Sequence, residues 1–142
     1  MSGTAYLEHL ESIRLFSSCS KKELQKIARA TDELTVSAGK VLTQQGGPGH
    51  EAFVIVEGEA TVDVGDQRVT TLGPGAHFGE LALLDGGPRT ATVTAATDLT
   101  VLVINQRAFF SLLDEVPGLA RKILTTMAGM VRDLDNRLGP SY

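Results

Sequence analysis

Residues 75–93 read G-A-H-F-G-E-L-A-L-L-D-G-G-P-R-T-A-T-V, a stretch built to hold a charged ligand between apolar strand material on both sides. Phe78-Gly79-Glu80 opens the apolar run Leu81-Ala82-Leu83-Leu84, long enough for about one helical turn before Asp85-Gly86-Gly87-Pro88 stops it. The first N–H groups of any helix lack internal partners, so a turn that opens beside a glycine suits an anion. Gly79 leaves the backbone open to a ligand. Pro88 fixes the chain just ahead of Arg89, whose planar guanidinium matches a phosphate with two free oxygens. A carboxylate beside a phosphate site repels the ligand unless it accepts hydrogen bonds from hydroxyls, so Glu80 with Arg89 reads as a sugar-and-phosphate clamp. Taken singly, Glu80 would be a carboxylate at a helix N-terminus and Arg89 half of a surface ion pair.

Working outward, the flanks alternate with period two and are cut by turn signals every eight to twelve residues. Strand-like pieces fall at 34–36, 41–43, 53–56, 59–64 and 68–72, with Ala60, Val62 and Val64 on the inner face of the fourth. Gly46-Gly47-Pro48-Gly49 is a loop that holds no regular structure, and Gly58 and Gly73-Pro74-Gly75 mark corners. After the stretch, Ala91, Val93 and Ala95 point inward, and residues 99–104 form a strand buried on both faces. This is a β-barrel or jelly-roll pattern, not a β-α-β one.

Helical period frames the strands. Leu7, Leu10, Ile13 and Leu15-Phe16 suggest one short helix, and Ser20 with Glu23 forms a capping box for a second. Asn105 is a fitting N-cap for a helix over 106–115 with Phe109, Phe110, Leu112 and Leu113 as its apolar surface, and Pro117 restarts a helix at its first turn. Leu119, Ile123, Met127, Met130, Leu134 and Leu138 then recur at spacings of 4, 4, 3, 4 and 4, a continuous stripe ended by Gly139-Pro140. That stripe must be covered by the roll or by the same helix of a second subunit, so a homodimer through 117–138 is one expectation.

With 142 residues, 42% of them hydrophobic, the chain is expected to be a single domain: helices over 1–33, a roll over 34–104 and helices over 105–142. The net charge of −4 argues against nucleic acid as a partner, because neutralising phosphates takes Lys and Arg. Cys19 is the single cysteine, which excludes an intrachain disulfide and suits a cytoplasmic setting. The longest apolar block, 101–104, is far too short to span a membrane. His9, His50 and His77 lie far apart, and His77 with Glu80 alone is not a ligand set, so no metal, cofactor or catalytic residue is expected and the chain reads as a non-enzyme.

The series F-G-E-L-A-L-L…P-R-T-A-T-V resembles the phosphate-binding cassette of cyclic-nucleotide-binding domains, the family shared by protein kinase A regulatory subunits, cyclic-nucleotide-gated channels and catabolite-activator-type transcription factors. The resemblance implies an α+β, mainly β fold: an eight-stranded β-roll (jelly roll) with short N-terminal helices and two C-terminal helices. It implies that Glu80 accepts from the ribose 2′-hydroxyl and Arg89 pairs with the cyclic phosphate, with the backbone at Gly79, Glu80 and Leu81 and the Thr90 hydroxyl completing the phosphate shell. The base would meet Val62 and Val69 on the roll and Leu134 and Asp135 on the last helix, where catabolite-activator proteins instead place a base-contacting hydroxyl. Family prevalence favours cAMP as the ligand, while Thr90 directly after the arginine leaves cGMP open. The expected activity is that of a stand-alone sensor that signals to an unidentified protein partner by moving its C-terminal helices. The alternatives are an orphan roll that binds no nucleotide, an enzyme on a β-roll, or a fragment of a larger regulator.

Overall fold

The computed structural model describes residues 3–138, with side chains for residues 7–137. The terminator Gly139-Pro140 lies outside the described residues. Helix α1 (Gly3–Glu11), a 3-10 turn (Arg14–Phe16) and α2 (Lys21–Arg29) come first. The capping box at α2 forms as its sequence requires: Glu23 N donates to Ser20 Oγ at 3.2 Å and Ser20 N donates to Glu23 Oε1 at 2.8 Å.

Strands β1 (Asp32–Val36), β2 (Val41–Thr43), β3 (Glu51–Glu57), β4 (Ala60–Val64), β5 (Gln67–Leu72), β6 (His77–Phe78), β7 (Thr92–Ala95) and β8 (Leu99–Asn105) make two four-stranded sheets in the orders β1-β8-β3-β6 and β2-β7-β4-β5. Every pairing is antiparallel. A single turn of helix, α3 (Ala82–Asp85), interrupts the roll, and α4 (Gln106–Glu115) and α5 (Leu119–Leu138) follow it. The fold is thus the jelly roll with flanking helices that the alternating pattern implies. The strand at His77–Phe78 is too short to leave any period in the sequence.

The first sheet is covered on both faces, which explains why β3 and β8 read as nearly unbroken apolar runs. Phe53, Ile55, Leu99, Val101 and Val103 face the second sheet and pack with Val36, Ala60, Val93 and Ala95 inside the roll. Ala52, Val54, Val56, Leu102 and Ile104 face the other way, onto Leu10, Phe16, Ile27, Phe109, Leu119 and Ile123 of the helical layer. Burying each large aliphatic side chain contributes about 1.5–3 kcal/mol before entropy is charged against it. Among the described residues, no helix is long and apolar enough to cross a membrane.

Two local expectations are corrected. Val64 is not on the inner face but 42% exposed, because β4 slips register against β5 between Val62 and Asp63 and its end turns out to solvent, where Arg68 Nε meets Asp63 Oδ1 at 2.7 Å. Pro117 is not in the first turn of α5. Val116 leaves α4 in an extended conformation and stays buried, so Pro117 and Gly118 (φ 82°) form the corner and α5 begins at Leu119. The stripe on α5 is only half covered. Leu119 and Ile123 are buried, whereas Leu134 is 53% exposed and joins Leu124 and Val131 on an open face.

One flank of α5 is tied to the N-terminal segment. Lys122 Nζ donates to Glu23 Oε1 at 2.6 Å, Ser18 and Thr126 share a hydroxyl hydrogen bond of 3.0 Å, and Arg14 pairs with Asp133.

Candidate functional site

A cleft of about 440 Å³ opens beside α3, bounded by β2, β4, β5, β6, the α3 turn and the segment 87–91. Of the residues singled out in the sequence, Gly79, Glu80, Leu81, Arg89, Thr90 and Val62 line it. Val69, on β5, is 59% exposed and does not line it, and neither do Leu134 and Asp135, which lie on the distal half of α5. The cassette is therefore brought together as its spacing implies, and three of the four residues assigned to the base are not.

Arg89 is held by backbone. Its Nη1 donates to the Glu51 carbonyl at 2.9 Å, and the guanidinium carbon lies 5.8 Å from the centroid of the Phe53 ring, which itself stacks on Phe78 at 4.9 Å. Two glycines make room for the side chain. A Cβ on Gly79 (φ +81°) would sit 2.5 Å from Arg89 Nη1, and one on Gly49 would sit 2.9 Å from its Nε. What approaches the bare backbone of Gly79 is thus Arg89 itself. Burial pushes the Arg89 guanidinium down from its ordinary value, opposed by the charge of Glu51. Among the described residues no carboxylate lies within ion-pair distance of Arg89. A partly desolvated cation bonded to a single carbonyl has donors left over for an anion.

The loop 46–49 reaches the site by long-range pairing, which the sequence did not signal. Arg89 N donates to the Gly47 carbonyl at 2.9 Å and Gly46 N to the Arg89 carbonyl at 2.8 Å. Thr43 Oγ1 bridges the next residues, donating to the Ala91 carbonyl at 3.1 Å and accepting from Val93 N at 3.2 Å. The segment carrying Arg89 and Thr90 is thereby tied on one side to the 46–49 loop and on the other to β2.

Across the cleft, Glu80 does not touch Arg89. Its Oε2 lies 3.2 Å from His77 Nδ1, both atoms are shut away from solvent, and neither has a hydrogen-bond partner of good geometry. Burial pushes the Glu80 carboxyl up, but the His77 contact, its own backbone N–H and the His77 charge together outweigh this and leave it below the ordinary carboxylate range. His77 was set aside in the sequence because it forms no metal set, and the i,i+3 spacing to Glu80 is the signal that would have found it.

The α3 turn opens one residue later than its sequence suggests. The amides of Ala82, Leu83 and Leu84 are taken by the carbonyls of Gly79, Glu80 and Leu81, so the helix proper offers no amides to a ligand, and Glu80 and Leu81 sit at the cleft ahead of it. Leu81 is 56% exposed, whereas Leu83 is fully buried in the helical core. Gln106, the first residue of α4, reaches back: its amide donates to the His50 carbonyl at 2.7 Å and its side chain to the Ala82 carbonyl at 3.4 Å. Among the described residues no cluster of His, Cys, Asp and Glu could hold a metal ion.

This roll sets an arginine that has no carboxylate partner among the described residues opposite a glutamate in one cleft, an arrangement suited to an anion. A sequence profile described as cyclic nucleotide-binding domain matches residues 33–116, and the chain belongs to that family. It is 37% identical over 117 residues to a cAMP-dependent protein kinase regulatory subunit of Hypocrea atroviridis, covering 82% of this chain and 25% of that protein. It is 40% identical over 109 residues to a cyclic nucleotide-gated potassium channel of Mesorhizobium japonicum, covering 77% of this chain and 30% of the channel. The chain therefore spans less than a third of the length of either protein. Among solved structures, the N-terminal domain of a transcriptional regulator from Streptomyces coelicolor superposes with a TM-score of 0.86 at 26% identity, covering 95% of this chain and 97% of that one. The catabolite activator protein of Thermus thermophilus superposes at 0.70 with 25% identity, over 88% of this chain and 61% of that one.

Proposed function

We propose that this chain is a regulatory module that binds cAMP, with cGMP as its nearest competitor, and passes the binding event to its C-terminal helices. The observation that carries the proposal is Arg89, partly desolvated, without a carboxylate partner among the described residues and facing the same cleft as Glu80. A cyclic phosphate would supply the missing anion, with Gly79, Leu81 and Thr90 around it, and Glu80 would accept from the ribose 2′-hydroxyl. Val62 lies where a base could rest on the roll, while Val69, Leu134 and Asp135 would reach a base only after a movement of their elements. At a nucleotide concentration of about 100 times Kd, the fold should gain near 2.7 kcal/mol of stability. Thermal melts with cAMP and with cGMP measure this, and melting unchanged at millimolar levels of both would refute nucleotide binding.

The route to the helices runs through α3. Leu83 is buried against the layer that holds Phe109, and Gln106 ties the start of α4 to Ala82 and His50. A ligand that draws Glu80 and Leu81 inward would therefore move α4, and α5 would swing at the Pro117-Gly118 corner. The exposed line Leu124, Val131 and Leu134 would change its surroundings, and a second copy of α5 could cover it. Distance labels on the roll and near Leu134, read with and without nucleotide and across protein concentration, are expected to report both the swing and the pairing. An unchanged distance removes the coupling, and a monomer at every concentration removes the pairing.

A further inference from the structure

We propose that His77 is a further residue of the ligand site, a positioning residue that supplies the counter-charge of Glu80 and takes up a proton when a cyclic nucleotide binds. The inference rests on the nucleotide-binding function proposed above. Its geometry is that of an unfinished pair: His77 Nδ1 and Glu80 Oε2 are 3.2 Å apart and enclosed, with no other partner for either atom. Strand β6 fixes the backbone of His77 by pairing it with Val54 of β3, three residues before Glu80.

The charges around this pair are unbalanced for an anion. Asp85 on α3 lines the same cleft, its Oδ1 accepting from Gly87 N at 2.7 Å. Arg89 is the cation opposite, with the charge of Glu51 of β3 acting on it from behind. On the helical side His9 of α1 approaches Gly75, its Nδ1 3.5 Å from where a Cβ on that glycine would stand. The lining from β2, β4 and β5 brings Thr43, Val62 and Leu72, none of which carries charge. With His77 neutral, an incoming phosphate meets two carboxylates and one guanidinium. With His77 protonated, Nδ1–H donates to Glu80 Oε2 and offsets one carboxylate, while the other lone pairs of Glu80 stay open to a ribose hydroxyl. Linkage then fixes the sign: a ligand that favours the protonated site draws in a proton, and its affinity rises as pH falls.

Isothermal titration of the full chain with cAMP at pH 8 and pH 6 tests this, repeated in two buffers of different ionisation enthalpy. Affinity is expected to rise several-fold, up to about tenfold for one unit of coupling, with buffer-dependent heat reporting proton uptake. In His77→Gln, which keeps a hydrogen-bonding side chain without the charge, the rise and the uptake should both vanish. The wild-type buffer dependence stands alone if that variant does not fold. Affinity that is flat or falls toward pH 6, with no proton uptake, overturns the role of His77 and leaves nucleotide binding intact. Failure of cAMP and cGMP to bind at either pH overturns both.

Discussion

Arg89→Ala is expected to weaken cyclic-nucleotide binding by at least about 2 kcal/mol, roughly thirtyfold, while leaving the fold near its original stability. The guanidinium is only partly buried, so the expectation is set at the lower end for one member of a desolvated charge pair. Stability should change little because the side chain makes a single hydrogen bond, to the Glu51 carbonyl, whereas the backbone bonds of Arg89 to Gly46 and Gly47 survive the substitution. Titration calorimetry paired with a denaturant melt checks both halves. A loss below tenfold would mean that backbone groups hold the phosphate and Arg89 is peripheral.

Phe109→Ala should act in the opposite way, costing about 3–5 kcal/mol of folding stability. Its ring is fully buried, 6.0 Å from Phe16 and tilted by 40°, in the layer where α4, the N-terminal segment and the outer face of the first sheet meet. Since domains of this size are stable by about 5–15 kcal/mol, the melting temperature should drop by roughly 10 °C or more. The adjacent Phe110, 41% exposed, is the internal control, and its replacement by alanine should cost much less. Equal losses at the two positions would show that α4 does not sit on the sheet as described.

The parts of the site legible in the sequence are those whose chemistry lies at short, fixed spacing. Gly79, Glu80, Leu81, Arg89 and Thr90 share one cleft because one continuous segment delivers them. The parts that were not legible arrive by pairing across distance. The Gly46 amide meets the Arg89 carbonyl only because β2 and β7 are neighbours, and nothing local in Gly46-Gly47-Pro48-Gly49 announces that contact. The strand His77–Phe78 is two residues long and has no period of its own. Along β4 the alternation was right as far as Val62 and failed at Val64, because a register slip is a property of two strands together. On α5 a single stripe was visible, yet Leu119 and Ile123 are buried while Leu134 is exposed, because periodicity tells which residues share a face and not how far a neighbouring layer extends.

Strand β3 places Phe53 inside the roll, beneath the Arg89 guanidinium, and the next residue, Val54, outside it against the helices. Consecutive residues of a strand are about 3.3 Å apart. The ring beneath the Arg89 guanidinium and a side chain that seats the helical layer are therefore on two sides of one strand, a single peptide thick.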